Sequence, residues 1–181
     1  MSEIMAGINF RAMTWMFNVR DLLRPRIDIL GKVDFEKGET VLDYGCGPGG
    51  YTFPAADLVG PEGKVYAQDI QPLAVDRIRD LAKKRGYDNI CTRLSDRDTG
   101  LEDGSVDKVL LFDVYHDLAD PEGVLGEIHR VLREGGKLLF SDHHLRDGDI
   151  RKELTGGNAF LLERSDGGLY VFGKKTTGST P

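Results

Sequence analysis

The residues with the most evident chemistry lie together in positions 41–52, which read VLDYGCGPGGYT. Two apolar residues lead into Asp43, and the chain then carries glycines at Gly45, Gly47, Gly49 and Gly50. Glycine allows positive φ and has no Cβ that would hold a ligand away from the backbone. A loop of this kind between a buried strand and a helix is typical of a site for a nucleotide-like ligand.

A second group of side chains is suited to proton transfer. His116, His143 and His144 follow the fourth and fifth predicted strands, at the sheet edge where open α/β folds bind ligands. Because histidine titrates near neutrality, His116 is a candidate general base, and His143 and His144 are candidates for that role or for substrate contact. A surface or helix-capping role is the alternative for each. No C-x-x-C or H-E-x-x-H pattern occurs, so the sequence predicts no metal site.

The elements that must position these residues alternate between strand and helix from residue 40 onward. The apolar pattern predicts strands at 40–44, 64–69, 90–94, 107–112 and 137–142, and helices near 50–58, 72–85 and 121–133. A helix is also expected within residues 20–33. Such alternation predicts right-handed crossovers and a parallel sheet with helices on both faces.

The C-terminal region departs from this alternation. Residues 158–175, NAFLLERSDGGLYVFGKK, contain two apolar runs separated by Ser-Asp-Gly-Gly, which is a strong hairpin signal. The predicted fold is therefore α/β, a doubly wound and mostly parallel seven-stranded sheet that ends in an antiparallel hairpin.

Length and composition limit the possible classes of protein. A chain of 181 residues suits one domain, expected at 38–176, with a helical segment at 1–37 and a flexible tail at 177–181. A net charge of −6 disfavours nucleic-acid partners. Cys46 and Cys91 are expected to be free thiols, and with no membrane span and no signal-peptide pattern this predicts a cytoplasmic protein.

The acid and the glycine spacing resemble the first motif of the class I S-adenosylmethionine-dependent methyltransferases, D/E-x-G-x-G-x-G. The terminal hairpin resembles theirs as well, whereas a dinucleotide-binding domain usually ends with a parallel strand. The glycines also fit G-x-G-x-x-G, so a dinucleotide-dependent oxidoreductase is the rival interpretation. Asp43, however, stands where such a strand usually carries an apolar residue. Over residues 38–175 the chain is most similar to the group that includes ubiquinone and menaquinone biosynthesis methyltransferases.

The resemblance implies S-adenosylmethionine as the cofactor and assigns it a set of contacts. The loop residues Asp43, Gly45, Cys46 and Gly47 would face it. Asp69, which ends the second strand, would accept hydrogen bonds from both ribose hydroxyls, and Ile70 would pack on the adenine.

The ends of the third and fourth strands supply the remaining implied contacts. Ser95 and Asp96 would bind the adenine amino group, while Phe112 and Asp113 would meet the methionine amine and face the substrate. The family's Asn/Asp-Pro-Pro-Tyr version, used in amino-group methylation of nucleic acid or protein, is absent at 113–116.

The acceptor side of the site is less determined by the sequence. In the family, the N-terminal segment and an insertion after the fifth strand usually recognise the substrate, and here that insertion is short. Trp15 and its apolar neighbours are predicted as a lid over the substrate, with core packing as the alternative, and Tyr115 as a further substrate contact.

The expected function is methyl transfer to a small apolar or aromatic molecule. A protein or RNA methyltransferase and a nucleotide-holding regulatory module are the alternatives, and a homo-oligomer remains open.

Overall fold

The computed structural model describes residues 29–157 and 159–175. Seven strands are present in this part of the chain, and they are β1 (Thr40–Tyr44), β2 (Lys64–Asp69), β3 (Ile90–Leu94), β4 (Val106–Phe112), β5 (Leu132–Ser141), β6 (Phe160–Asp166) and β7 (Leu169–Lys174). The helices that lie wholly within these ranges are α1 (Thr52–Val59), α2 (Pro72–Arg85), α3 (Pro121–Val131) and α4 (Asp147–Gly156), with a short 3₁₀ turn at Tyr115–Asp117.

The strands form one sheet in the order β3-β2-β1-β4-β5-β7-β6. Strands β1 to β5 pair in parallel, and β7 runs antiparallel between β5 and β6. This confirms the predicted fold class. The strand order changes direction between β1 and β4, and in open sheets a ligand crevice forms at the carboxyl ends of such a pair.

Local sequence signals explain most element boundaries. Helix α2 has Pro72 in its first turn and ends at Gly86, whose φ of 74° lies in the left-handed region. Helix α3 begins after Asp120, whose side chain accepts a hydrogen bond from the backbone of Gly123. The β6–β7 turn places both glycines at positive φ, 58° at Gly167 and 87° at Gly168, as a two-residue hairpin requires.

The junction of α3 and β5 differs from the prediction. The helix was expected to reach residue 133 and the strand to begin at 137, but α3 ends at Val131 and β5 begins at Leu132. Leu132 has extended backbone angles and a fully buried side chain, and it pairs with Val106. Gly135, with φ of 75°, therefore lies inside the strand at an irregularity in the register rather than in a turn before it.

The core lies on both faces of the sheet. Along β4, Val109 and Leu111 pack on one face, with α3 and α4, while Leu110 and Phe112 pack on the other, with α1. Leu30 belongs to the predicted N-terminal segment, yet it is fully buried in this second core. Both cysteines are free, as predicted. Across the described ranges, none of the helices is sufficiently long and apolar to cross a membrane.

Candidate active site

A cavity of about 530 Å³ opens at the carboxyl ends of β1, β2 and β4. Its size is within the usual range for small-molecule and cofactor sites. Nearly all the residues predicted to contact the cofactor lie in its wall, and they are Gly45, Cys46, Gly47, Asp69, Ile70, Ser95, Asp96, Phe112 and Asp113. The structure thus brings residues from the ends of four strands into one cavity wall. The sequence predicted a cofactor contact for each of them separately.

The glycine loop forms one side of the cavity. Backbone N–H groups of Gly45 and Cys46 donate to the carbonyl of Gln68 at 2.8 and 2.9 Å, which fixes the loop against β2. A Cβ at Gly45 would clash with Val114. At Gly47, where φ is 50°, an added Cβ would meet no atom within 4 Å, so this part of the loop faces open space.

Asp69 connects the loop to the end of β2. Its Oδ2 accepts a hydrogen bond from the backbone N–H of Gly47 at 2.8 Å, and its Oδ1 accepts one from Gln71 at 2.8 Å. Each carboxylate oxygen has a further lone pair, so both oxygens can accept from a diol in the cavity.

Asp43 differs from the other residues predicted to contact the cofactor because it does not line the cavity. Its side chain is 3% exposed, and its carboxylate accepts a hydrogen bond from the hydroxyl of Thr52 at 2.6 Å. Thr52 is the first residue of α1. The contact that the structure gives Asp43 therefore ties β1 to α1 and holds the loop between them.

The part of the cavity wall that follows β2 and β3 contains both polar and apolar residues. Ile70 is 71% exposed and lines the cavity, which is costly for an isoleucine unless a ligand covers it. Asp96 is held in place because its backbone carbonyl accepts a hydrogen bond from the hydroxyl of Tyr44. Burial and the nearby charge of Asp96 raise the pKa of Tyr44 to about 12, so the hydroxyl keeps its proton at neutral pH.

Gln68 and Tyr51 are among the wall residues that the sequence interpretation did not identify. Gln68 is fully buried, and within the described residues its Oε1 has no hydrogen-bond partner. Tyr51 packs its ring against Phe112, with ring centroids 4.5 Å apart. Gln68 stands next to Asp69 on β2, but a strand places adjacent side chains on opposite faces, so adjacency alone could not identify it.

The three candidate histidines form a cluster around Asp142, at the ends of β4 and β5. The Asp142 side chain is completely buried, and its Oδ2 lies 2.9 Å from Nδ1 of His116. His143 Nδ1 instead lies 2.7 Å from Oδ1 of Asp113, a residue of the cavity wall. None of the three histidines lines the cavity itself.

Charges around His116 change its proton affinity. Burial lowers the pKa of the imidazole, but the hydrogen bond to Asp142 and the charges of Asp142, Asp117 and Asp113 outweigh it and raise the pKa overall. His116 Nε2 lies 3.3 Å from Oδ2 of Asp117, which lines the cavity. The general-base role of His116 stays a prediction, since its ring reaches the cavity only through Asp117.

The predicted substrate contact at Tyr115 needs correction. The Tyr115 ring is 7% exposed and packs edge-on against Phe140, 5.6 Å away in the core. Its hydroxyl bonds to Glu153 of α4 at 3.3 Å. The side chain points away from the cavity because the 3₁₀ turn starts there and buries its first residue. Trp15 lies outside the described residues.

Comparison with known proteins adds to this geometry. Residues 35–166 match the family described as a methyltransferase domain. The chain belongs to this methyltransferase family. The chain is 38% identical over 112 residues to aklanonic acid methyltransferase DauC of Streptomyces sp. (strain C5), a match that covers 61% of this chain and 51% of that protein. It is 30% identical to demethylmenaquinone methyltransferase of Geobacillus stearothermophilus, covering 71% of this chain and 55% of that protein.

A solved structure has a similar fold. The crystal structure of a SAM-dependent methyltransferase from Aquifex aeolicus superposes with a TM-score of 0.71 at 26% identity, over 81% of this chain and 86% of that one. The chain spans only about half the length of the two curated relatives. Membership in the family decides against the dinucleotide-binding interpretation of the glycine loop.

The residues of the cavity fit the cofactor that this family uses, S-adenosylmethionine. The open face of Gly47 leaves room for a ligand against the backbone, and Gln68 Oε1 is a buried acceptor without a partner among the described residues. Asp69 supplies a carboxylate that can accept from a ribose diol. A dipolar loop and acidic side chains also suit a cofactor that carries positive charge.

Proposed function

We propose that this methyltransferase transfers a methyl group from S-adenosylmethionine to a small-molecule acceptor. The observation that supports a small acceptor is the charge of the cavity wall. Six aspartates line it, at Asp69, Asp96, Asp98, Asp113, Asp117 and Asp120. Arg97 is the one basic residue among the described lining residues, and its guanidinium pairs with Asp120 at 2.9 Å.

An acidic wall is unfavourable for a polyphosphate acceptor. Proteins that bind nucleic acid need arginine and lysine at the phosphate backbone. The net charge of −6 adds to the repulsion. The names of the two curated relatives also refer to small organic acceptors, aklanonic acid and demethylmenaquinone. These observations favour a small-molecule acceptor over RNA.

Different residues of the cavity wall would bind different parts of the cofactor. S-adenosylmethionine supplies a methyl group already activated on a positively charged sulfonium. Asp69 would hold the ribose hydroxyls and Asp96 the adenine amino group, with Ile70 covering the ring. The backbone at Phe112 and Asp113 would hold the methionine end.

The backbone at the end of β4 is fixed for this task. Asp113 has φ of 54°, a left-handed conformation that aspartate tolerates better than most residues. Its N–H donates to the carbonyl of Ser141 at 2.7 Å, which anchors the bend to β5. Holding two reactants in line can lower the activation barrier by about 7–11 kcal/mol in ideal cases. A rigid strand end that positions the methyl donor would therefore favour this reaction.

A turnover assay with labelled methyl donor tests the proposal. Purified protein is incubated with hydroxylated aromatics, quinols, amines, thiols, RNA and a protein extract, and the label is traced in each fraction. We expect transfer to a small molecule, and loss of transfer in the Asp69→Ala variant. Label found only in RNA or protein would overturn the small-molecule acceptor. Tight donor binding without any transfer would indicate a regulatory module instead.

A further inference from the structure

The His116–Asp142–His144 cluster offers a site that the methyl-transfer cavity does not use. One nitrogen from each imidazole and one oxygen from the Asp142 carboxylate all lie within 4.8 Å of one another. His116 follows β4, whereas Asp142 and His144 follow β5. The parallel pairing of these two strands brings the three side chains together at one edge of the sheet.

Asp142 is held in a fixed orientation at the centre of the cluster. Its side chain has no exposed surface, and burying a carboxylate is costly unless it is compensated. The backbone N–H of His116 donates to Oδ2 at 3.1 Å, and that of His144 donates to Oδ1 at 3.0 Å. Two backbone donors therefore hold the carboxylate, and its remaining lone pairs face the two imidazoles.

The distances between donor atoms match those of ligands that share one ion. Metal–ligand bonds of about 2.0–2.2 Å place neighbouring ligand atoms about 2.8–3.6 Å apart in octahedral or tetrahedral geometry. His116 Nδ1 lies 3.1 Å from Asp142 Oδ1, and His144 Nδ1 lies 3.6 Å from the same oxygen. The first distance also fits a hydrogen bond, but the second is too long for one.

The two imidazoles are arranged for joint use. The His116 and His144 rings lie with centroids 3.9 Å apart, and each turns its Nδ1 toward the same carboxylate. The His144 side chain is 52% exposed, so an ion can enter from solvent. We propose that His116, Asp142 and His144 bind a divalent first-row transition-metal ion.

The donor types select the kind of metal. Imidazole nitrogen suits Zn²⁺, Cu²⁺, Fe²⁺ and Ni²⁺, whereas Mg²⁺, Ca²⁺ and Mn²⁺ prefer oxygen ligands. Three protein ligands leave at least one coordination position open, as in catalytic rather than structural sites. The prediction of no metal site rested on short local motifs, and the ligands of this site come from two separate strands.

A neighbouring set shares the same carboxylate. Asp113, Asp142 and His143 also place one donor atom each within 4.8 Å. In that set His143 Nδ1 is already paired with Asp113 at 2.7 Å, and only one nitrogen is available. We therefore assign the ion to the set with two imidazoles, and the His143→Ala variant tests that choice.

The position of the site has a consequence that rests on the proposed function. Nε2 of His116 lies 3.3 Å from Asp117, which lines the cavity, whereas the ion would bind at Nδ1 on the other side of the ring. The imidazole of His116 would therefore stand between the ion and Asp117. With Nδ1 engaged as a ligand, His116 is a metal ligand and no longer a general base at that nitrogen.

Metal titration of the chelator-treated protein tests the site without donor or acceptor, so its result does not depend on the proposed function. Binding of Zn²⁺ is measured by calorimetry and binding of Co²⁺ by visible absorption. We expect one ion per chain, at least tenfold weaker binding in His144→Ala, and little change in His143→Ala. His129→Ala is the control, because His129 lies on α3 and contacts the carbonyl of Lys175.

The outcomes that overturn the proposal are distinct. Equal metal affinity in wild type and His144→Ala would contradict the proposed site. A loss of affinity in His129→Ala as large as that in His144→Ala would contradict it too. Loss in His143→Ala alone would place the ion in the neighbouring set. Displacement of Co²⁺ by an equal concentration of Mg²⁺ would contradict the nitrogen ligands. The Asp142→Asn variant should bind no ion. If that variant fails to fold, the result for His144→Ala, a substitution at an exposed side chain, tests the proposal instead.

Discussion

The backbone N–H of Gly47 donates a hydrogen bond to the Asp69 carboxylate at 2.8 Å. Asp69, which is proposed to bind the ribose, and the glycine loop, which is proposed to lie against the cofactor, are therefore joined directly. A site assembled in advance loses less conformational entropy on binding. Two of the predictions below test the two ends of this hydrogen bond.

Removal of the Asp69 carboxylate should weaken cofactor binding. Hydrogen bonds to a charged group contribute about 1.5–3 kcal/mol, so Asp69→Ala should lower affinity for S-adenosylmethionine about ten- to a hundredfold. Calorimetric titration measures it. Asp80→Ala, on the exposed face of α2, is the matched control and should bind like wild type. Normal affinity in Asp69→Ala would contradict the ribose assignment.

A methyl group at Gly47 should block binding without disturbing the fold. Gly47 and Gly86 both have positive φ, 50° and 74°, and an added Cβ at either meets no atom within 4 Å. Alanine at either position should therefore cost about 1–2 kcal/mol of unfolding free energy from the left-handed backbone. Only Gly47→Ala should also lose cofactor affinity, as shown by calorimetry beside a urea melt. Equal affinity in the two variants would make the loop a purely structural turn.

Loss of the Tyr44 hydroxyl should destabilise the protein. Tyr44 is 3% exposed, and its hydroxyl is the donor to the backbone carbonyl of Asp96. Tyr44→Phe should lower the free energy of unfolding by about 0.5–1.5 kcal/mol, because a partly buried hydrogen bond is lost. Urea denaturation measures the change. Tyr66→Phe, on the neighbouring strand β2, serves as the control, and a similar stability in both variants would refute the argument.

Acid should remove the contribution of Glu127 to stability. Hydrogen bonds from Arg130 and Thr99 lower the pKa of Glu127 to about 2, from an ordinary value of 4.5. Because the folded pKa is depressed, the stabilisation is complete above pH 4.5 and is lost as the pH falls toward 2. Glu127→Gln should therefore be less stable than wild type at neutral pH, by about 1.5–3 kcal/mol, and should approach it in acid.

Urea melts at several pH values measure this approach. Glu62→Gln, at an exposed position, is the control and should follow wild type throughout. A constant difference between Glu127→Gln and wild type from pH 7 to pH 3 would contradict the predicted linkage.

The sequence was most informative where chemistry is local. Glycine spacing, Pro72 and Gly86 around α2, and the Gly167–Gly168 turn each specify a backbone conformation through the residues themselves. The parallel sheet and its closing hairpin followed from the same local signals. These features need no knowledge of what lies on the neighbouring strand.

What could not be predicted depends on contacts between distant segments. Tyr115 was predicted to contact the substrate, but its ring packs in the hydrophobic core and its hydroxyl bonds to Glu153 of α4. Strand β5 begins before the predicted residue 137 because Leu132 pairs with Val106 of β4. The grouping of His116 with Asp142 likewise exists only once β4 and β5 are paired.

The insertion of β7 between β5 and β6 bears on how the chain is made. Strand β5 finds its second neighbour only in residues 169–174, which leave the ribosome after β6. Until then Leu138 and Phe140 belong to an apolar edge strand with unpaired backbone groups, the kind of surface on which nascent chains associate. Formation of β7 is thus the step that pairs this exposed edge of the growing sheet.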